Sequence, residues 1–212
     1  MQTITLDLQG IEVVSWDLDG TIYDLGIATQ HVHDELASWL RQGRIAKTVT
    51  VVLVALIYRA IVGFAVHVRG GVVDVPTWLW QTRPFRWLFD DLFLAGITKT
   101  DIRASWLAAS DAIAASGRRQ VIVSNAETAQ KLAFFGLTDR FDAIYPCLLD
   151  GLLKPAPQTL TRVAADLSVP IEAILHVGDR RSTDLEAARR AGCPGVLLSD
   201  GEVRFELIRL AR

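Results

Sequence analysis

The sequence predicts an α/β fold, a doubly wound, parallel five-stranded Rossmann-like sheet with an inserted all-helical cap domain. Three observations predict it. Short apolar runs alternate with helical patterns in the second half of the chain, polar residues follow those runs directly, and a long helical interval separates the first run from the second. Because each helix connects two consecutive strands, the strands are expected to pair in parallel through right-handed crossovers.

The predicted core consists of strands and the helices between them. Five short runs predict strands: Val13–Trp16, Gln120–Ser124, Ala143–Tyr145, Ile174–Val177 and Gly195–Leu198. Apolar residues spaced three to four apart predict three helices: Ala126–Phe135, Pro157–Leu167 and Thr183–Ala191. Gly136 and Gly192 follow two of these helices, at the position where a left-handed glycine commonly ends a helix.

The interval between the first two strands is too long for a single crossover helix. It contains three helical patterns and no convincing strand: Asp34–Leu40, Thr48–Val68 and Trp87–Leu94. We therefore predict a core of residues 1–22 and 98–212 and a helical cap of residues 23–97, joined near Ile22–Leu25 and Ile97–Thr100. A further helix, Asp101–Ser116, capped by Thr100 or Asp101, should lead back into the core.

Composition excludes several classes of function. The 212 residues carry 22 basic and 24 acidic side chains, so the chain lacks the positive charge typical of a nucleic-acid-binding protein. The two cysteines, Cys147 and Cys193, do not have zinc-site spacing and are expected to be reduced thiols. Residues 1–10 do not resemble a secretory signal. A cytoplasmic location is expected.

The stretch Val49–Val68 is almost continuously apolar. Arg59 near its middle and His67 near its end would be costly in lipid, so a membrane span is disfavoured and contact with a membrane is not expected. Arg59, Gly63 and His67 recur every four residues and form one narrow stripe on a helix. Core packing, a homodimer through the apolar cap, an apolar substrate and a membrane surface all stay open as explanations of this stretch.

Chemically active residue types follow the predicted strands. In a parallel sheet the carboxyl ends of the strands meet at one edge, so these side chains should share one crevice. They are Asp17, Asp19, Ser124, Asn125, Lys154, Asp179 and Asp184. Four carboxylates and one lysine leave an excess of negative charge, which predicts a hard divalent cation, and Mg²⁺ suits such ligands. The lysine, hydroxyl and amide then provide donors for phosphoryl oxygens.

These motifs also carry a family resemblance. Asp17-Leu18-Asp19-Gly20-Thr21, then Ser124, then Lys154, then Gly178-Asp179 with Asp184, stand in the order of the four signature motifs of the haloacid dehalogenase-like hydrolase superfamily. The chain resembles its phosphatase branch, in which a helical cap is inserted after the first motif. The resemblance covers the predicted core and implies an Mg²⁺-dependent enzyme that acts on a small phosphorylated metabolite.

The resemblance also implies a role for each motif residue. Asp17 would attack phosphorus and form an aspartyl-phosphate, and Asp19 would act as general acid and then as general base. Ser124, Asn125 and Lys154 would bind the phosphoryl group. The metal ligands would be Asp17, the backbone carbonyl of Asp19, Asp179 and Asp184. Two alternatives stay open: a sugar-phosphate phosphomutase that uses the same residues, and a non-catalytic binding protein that uses its apolar cap.

Overall fold

The computed structural model describes residues 8–73, 77–126 and 128–198, so both ends of the predicted core lie outside the described residues. A parallel five-stranded sheet forms the centre of the molecule, with strand order β3-β2-β1-β4-β5. The strands are β1 (Val13–Trp16), β2 (Arg119–Ser124), β3 (Ala143–Pro146), β4 (Ile174–Gly178) and β5 (Gly195–Leu197). The predicted fold class is confirmed.

Strand β1 occupies the middle of the sheet. Val13 pairs with Arg119 of β2 on one side and with Ile174 of β4 on the other, both in parallel. All four residues of β1 are buried, because helices cover both faces of the sheet, and this explains why three of the four are apolar and why the fourth, Ser15, has its hydroxyl paired with His176 Nδ1. The central position places the carboxyl end of β1 between those of β2 and β4.

Helices on both faces of the sheet complete the core. They are α4 (Ala104–Ala115), α5 (Ala129–Phe135), α6 (Cys147–Asp150), α7 (Gln158–Leu167) and α8 (Glu186–Ala191). Gly136 and Gly192 end α5 and α8 with φ angles of 71° and 88°, as predicted. Glycine is favoured there because a β-carbon is strained at positive φ.

The named elements in the described part of the insertion between β1 and β2 are all helical. It contains α1 (Leu25–Arg41), α2 (Ile45–His67) and α3 (Arg83–Arg86), followed by a π-helical segment at Trp87–Phe93. Short 3₁₀ turns at Thr77–Gln81 and Leu94–Gly96 complete it. The division of the chain into residues 1–22 with 98–212 and residues 23–97 stays a prediction.

Several predicted helix boundaries are wrong. Helix α1 begins nine residues before the predicted Asp34, because the Asp24 side chain accepts a hydrogen bond from Gly26 N at 2.7 Å and caps the helix there. Asp101 does not cap the next core helix. It bonds to Thr98 N at 2.6 Å within a 3₁₀ turn, and α4 begins at Ala104.

Two core helices also start later than predicted. Helix α5 begins at Ala129 rather than at Ala126, since residues 125 and 126 belong to the loop that leaves β2. The predicted Thr183–Ala191 helix ends as predicted, but its first turn is π-helical, at Arg181–Leu185, and the α-helical part begins at Glu186. Both differences fall in loops that leave strand ends.

Helix α2 stands out by its composition. It has 23 residues and contains an 18-residue window with a mean hydropathy of 2.4, which by length and composition alone is enough to cross a membrane. Only Thr48, Val51 and Ala65 of this helix are buried. Its inner side packs against the core through partly buried residues that include Val54, Ile61 and Val62.

Candidate active site

The carboxyl ends of β1, β2 and β4 open into a cavity of about 510 Å³. All seven residues predicted for the site line it: Asp17, Asp19, Ser124, Asn125, Lys154, Asp179 and Asp184. They come from loops far apart in the sequence, and the parallel sheet brings them together. Asp17 follows the last residue of β1, and its amide donates to Val177 O at 2.8 Å, which continues the sheet pairing as far as Asp17.

Lys154 lies at the centre of the buried charges. Its Nζ lies 2.6 Å from Asp17 Oδ1 and 2.6 Å from Asp184 Oδ1, and it donates to the backbone carbonyl of Val123 at 2.9 Å. The lysine is only 1% exposed. A buried ammonium with three acceptors is well satisfied, whereas loss of the lysine would leave two buried carboxylates without a counter-charge.

Burial and charge shift the acidity of this group in different directions. Burial raises the pKa of Asp17 to about 7, and Asp184 and Asp179 add to the rise, although Lys154 opposes it. Burial and Asp184 raise the pKa of Asp179 to about 6. Burial alone would also raise the pKa of Asp184, yet Lys154 and His176 outweigh it and hold that pKa well below its usual value. The cluster therefore carries more acidic groups than its cation can keep ionised.

Three of these carboxylates are arranged as a metal site would require. Ligand oxygens of Asp17, Asp179 and Asp184 all lie within 4.8 Å of one another, and two of the three residues are buried. Burial, followed by repulsion from neighbouring carboxylates, raises the pKa of both Asp17 and Asp179, and a second cation would stabilise their ionised forms. This all-oxygen set fits a hard divalent cation such as Mg²⁺.

Glycines allow the acidic loops to approach one another. A β-carbon on Gly20, which has a φ of 93°, would lie 2.3 Å from Asp179 Oδ2. A β-carbon on Gly178 would lie 2.3 Å from Asp184 Cγ. Only glycine leaves room for the two carboxylates at these positions, so both glycines are needed for the geometry of the cluster.

Ser124 and Asn125 follow β2 on the other side of the cavity. Ser124 is buried, and its Oγ accepts a hydrogen bond from Ala126 N at 3.3 Å. The Asn125 side chain accepts from Lys154 N at 2.7 Å and donates to Lys154 O at 3.2 Å. This reciprocal pair fixes the loop that presents Lys154. Phosphate binding by Asn125 stays a prediction.

Two partners of Asp19 were missed by the sequence analysis. Lys131 of α5 donates to both Asp19 oxygens, at 2.6 and 2.8 Å, and the Tyr23 hydroxyl donates to Oδ1. Lys131 also lies 4.6 Å from the centroid of the Phe93 ring, which belongs to the cap. A lysine within an amphipathic helix is ordinarily solvent-exposed, so the sequence carries no signal for this contact.

The cap forms the opposite wall of the cavity. Its contribution is mainly apolar: Leu25, Tyr58, Val62, Val66, Phe89 and Phe93 line the wall. The stripe of Arg59, Gly63 and His67 seen in the sequence also faces the cavity. Arg180 and Ser182 from the loop after β4 complete the opening. The cavity thus has an anionic floor and an apolar roof with two basic side chains.

Four curated phosphoglycolate phosphatases match a segment of the chain. Those from Salmonella typhi and Salmonella typhimurium are each 45% identical over 58 residues, which is 27% of this chain. The matched segment spans only 23% of the length of these relatives.

Solved structures with the same fold cover most of the chain at low identity. A 2-haloacid dehalogenase from Pseudomonas syringae has a TM-score of 0.64 at 20% identity, covering 88% of this chain and 86% of its own. A predicted phosphoglycolate phosphatase from Haemophilus somnus has a TM-score of 0.61 at 19% identity, covering 92% and 89%. The HAD-hydrolase YfnB from Bacillus subtilis, solved bound to magnesium, has a TM-score of 0.64 at 15% identity, covering 92% of each chain.

A family model gives the more decisive match. The model of the haloacid dehalogenase-like hydrolases matches residues 11–192, from the start of β1 to the end of α8. This match includes every residue of the cavity floor and the whole cap. The chain therefore belongs to the haloacid dehalogenase-like hydrolase family.

Proposed function

We propose that the chain is an Mg²⁺-dependent phosphate monoester hydrolase that acts on a small phosphorylated metabolite through an aspartyl-phosphate intermediate. The observation that carries the proposal is the cluster of Asp17, Asp179 and Asp184 around the buried ammonium of Lys154. A carboxylate nucleophile needs such cations beside it, because phosphoryl oxygens bring further negative charge into the site.

The chain's own residues account for both half-reactions. A carboxylate oxygen of Asp17 forms a bond to phosphorus while the bond from phosphorus to the ester oxygen breaks, and Asp19, which enters this step protonated, gives that proton to the departing oxygen. Asp19 then accepts a proton from water, whose oxygen attacks the same phosphorus. The Asp17 carboxylate and inorganic phosphate are released. Ser124 and Lys154 hold the phosphoryl oxygens throughout.

A bound Mg²⁺ would supply electrostatic stabilisation of the phosphoryl oxygens as charge develops on them. Asp17, Asp179 and Asp184, with the backbone carbonyl of Asp19, would hold the ion. Lys154 lies between Asp17 and Asp184, so it tempers the repulsion that would otherwise oppose binding of an anionic substrate.

The contacts of Asp19 favour phosphate-ester hydrolysis over dehalogenation. Family members that dehalogenate replace this second aspartate, whereas here it is present and held by Lys131 and Tyr23. An anchored carboxylate beside the nucleophile has the placement that proton transfer to a leaving oxygen requires. A halide leaving group would need no such proton.

A substrate panel would test the proposal. Phosphate release from a set of phosphorylated metabolites and from p-nitrophenyl phosphate should require Mg²⁺ and be abolished by EDTA. Asp17→Asn should remove this activity, whereas Asp111→Asn, an exposed aspartate paired with Arg140, should retain it. Absence of phosphate release from every ester, with Mg²⁺ present and the protein folded, would refute the proposal. Formation of an isomeric sugar phosphate instead of free phosphate would identify a phosphomutase.

A further inference from the structure

The outer side of α2 is apolar along the whole helix. Eight large apolar residues there are between 40% and 67% exposed: Ile45, Val49, Val52, Leu53, Leu56, Ile57, Phe64 and Val68. At 100° per residue they cover an arc of about 160°. The helix is about 34 Å long, at 1.5 Å per residue. We call this surface the α2 apolar face.

The inner side of the same helix is already covered by protein. Val51 and Ala65 are buried, and Tyr58, Val62 and Val66 line the cavity. In this fold lipid cannot surround α2, so the helix cannot span a bilayer. The cost of Arg59 within a span, which argued against membrane contact, does not apply to a helix that lies flat.

The charged residues of α2 and of the loops directly beside it in the sequence are all basic. Residues 36–73 contain no aspartate or glutamate. Exposed Arg41 and Arg44 lie before the first turn of α2, and exposed Arg69 follows its last turn. An apolar helical surface with basic residues at both ends is complementary to a surface that is apolar inside and anionic outside.

A second copy of the chain is a poorer complement. A two-fold interface places the same patch against itself, so antiparallel α2 helices would bring Arg44 of one copy towards Arg69 of the other, without an acidic residue from segment 36–73 between them. Two helices that pair side by side use only two positions in every seven for their contact. The exposed apolar arc of α2 is wider than such a contact requires. Charge and width both favour lipid over a second copy.

We propose that the α2 apolar face docks on an anionic lipid bilayer, with the helix parallel to the membrane surface and its side chains in the headgroup region. Tyr58, Val62 and Val66, which line the cavity, lie outside the α2 apolar face. The proposal does not depend on the reaction proposed above and can be tested without substrate.

Co-sedimentation of the full chain with lipid vesicles tests this docking. The protein should bind vesicles of phosphatidylcholine with phosphatidylglycerol, bind pure phosphatidylcholine much less, and stay in solution without vesicles. Leu56→Glu should weaken binding at least tenfold, because a charge would enter the apolar boundary. A matched control is Leu149→Glu, at a partly exposed leucine of α6, which should bind like the parent. Arg41→Gln with Arg44→Gln should weaken binding about fivefold per charge removed.

Three results would overturn the proposal. They are no binding to anionic vesicles at low salt, equal binding to neutral vesicles, and binding that Leu56→Glu leaves unchanged. Sedimentation velocity without vesicles provides an independent measurement. A dimer that Leu56→Glu dissociates would assign the α2 apolar face to a second copy instead. Circular dichroism would confirm that each variant is folded, and phosphatase activity of Leu56→Glu on p-nitrophenyl phosphate would show that the cavity is intact.

Discussion

Lys131 offers the most discriminating test of how the site works. Its ammonium contacts both oxygens of the Asp19 carboxylate, at 2.6 and 2.8 Å, and its side chain is 5% exposed. Lys131→Met keeps the length of the side chain and its packing on Phe93 but removes the charge and both hydrogen bonds. Asp19 would keep one hydrogen bond, from Tyr23, and would be free to leave its position.

The expected loss can be worked from these contacts. Asp19 is 22% exposed, so solvent can stabilise its charge, and the cost to folding stability should be only about 1 kcal/mol. Catalysis should suffer more, because a positioned general acid contributes about 100-fold or more to rate. We therefore expect kcat for an alkyl phosphate to fall by about that factor while the protein remains folded.

The assay compares two leaving groups. An alkyl phosphate needs a proton on its departing oxygen, whereas p-nitrophenyl phosphate departs readily without one, so Lys131→Met should slow the first far more than the second. Lys131→Arg, which keeps the positive charge, should slow the alkyl phosphate less than Lys131→Met does. An equal loss on both substrates would refute the reasoning, since it would mean that Lys131 acts on phosphate binding or on folding rather than through Asp19.

Three further predictions concern the acidic cluster. Lys154→Met should lower the free energy of unfolding by about 3 kcal/mol or more, measured by urea denaturation without metal, because two buried carboxylates lose their partner. Burial raises the pKa of Asp17 to about 7, so protons should compete with Mg²⁺ for this carboxylate below pH 7. Calorimetry should therefore show that the affinity for Mg²⁺ falls by up to about tenfold per pH unit as the pH decreases from 7 to 5. An Mg²⁺ affinity that does not change over this range would contradict the prediction. Gly20→Ala should abolish Mg²⁺ binding, because its β-carbon would collide with Asp179, whereas Gly43→Ala, which also has positive φ but open space around it, should cost only stability.

The sheet could be predicted because buried parallel strands leave a strong mark in the sequence. The segment Val13–Trp16 is apolar on both faces, and the carboxylates that follow it had to lie at the sheet edge once the strands were parallel. The same reasoning placed Ser124, Lys154 and Asp179 beside them. Parallel pairing accounts for Ser124 and Asp179, which directly follow strands, whereas Lys154 lies beyond α6 and is also positioned by its backbone hydrogen bonds to Asn125.

The other contacts of the site and the helix boundaries depend on side-chain directions that the hydrophobic periodicity of the sequence does not determine. Lys131 reaches Asp19 only because α5 starts at Ala129 and turns that side chain towards the cavity. The early start of α1 depends on one local hydrogen bond from Gly26 N to Asp24. Contacts of this kind are decided by loop geometry, so sequence patterns left them undetermined.

Helix α2 shows what the structure adds to an ambiguous pattern. Its apolar composition left a core helix, a dimer contact, an apolar substrate wall and a membrane surface open, although contact with a membrane was not expected. A role in lining the cavity explains why Val62 and Val66 are apolar. It does not explain why Leu53 and Leu56 are apolar, because these two residues are more than half exposed outside the cavity. A helix that served only the cavity would carry polar residues on its outer face, since water would be its only neighbour there. The outer face therefore needs an explanation of its own, and the basic residues at both ends of α2 favour an anionic lipid surface over a second copy with the same charges.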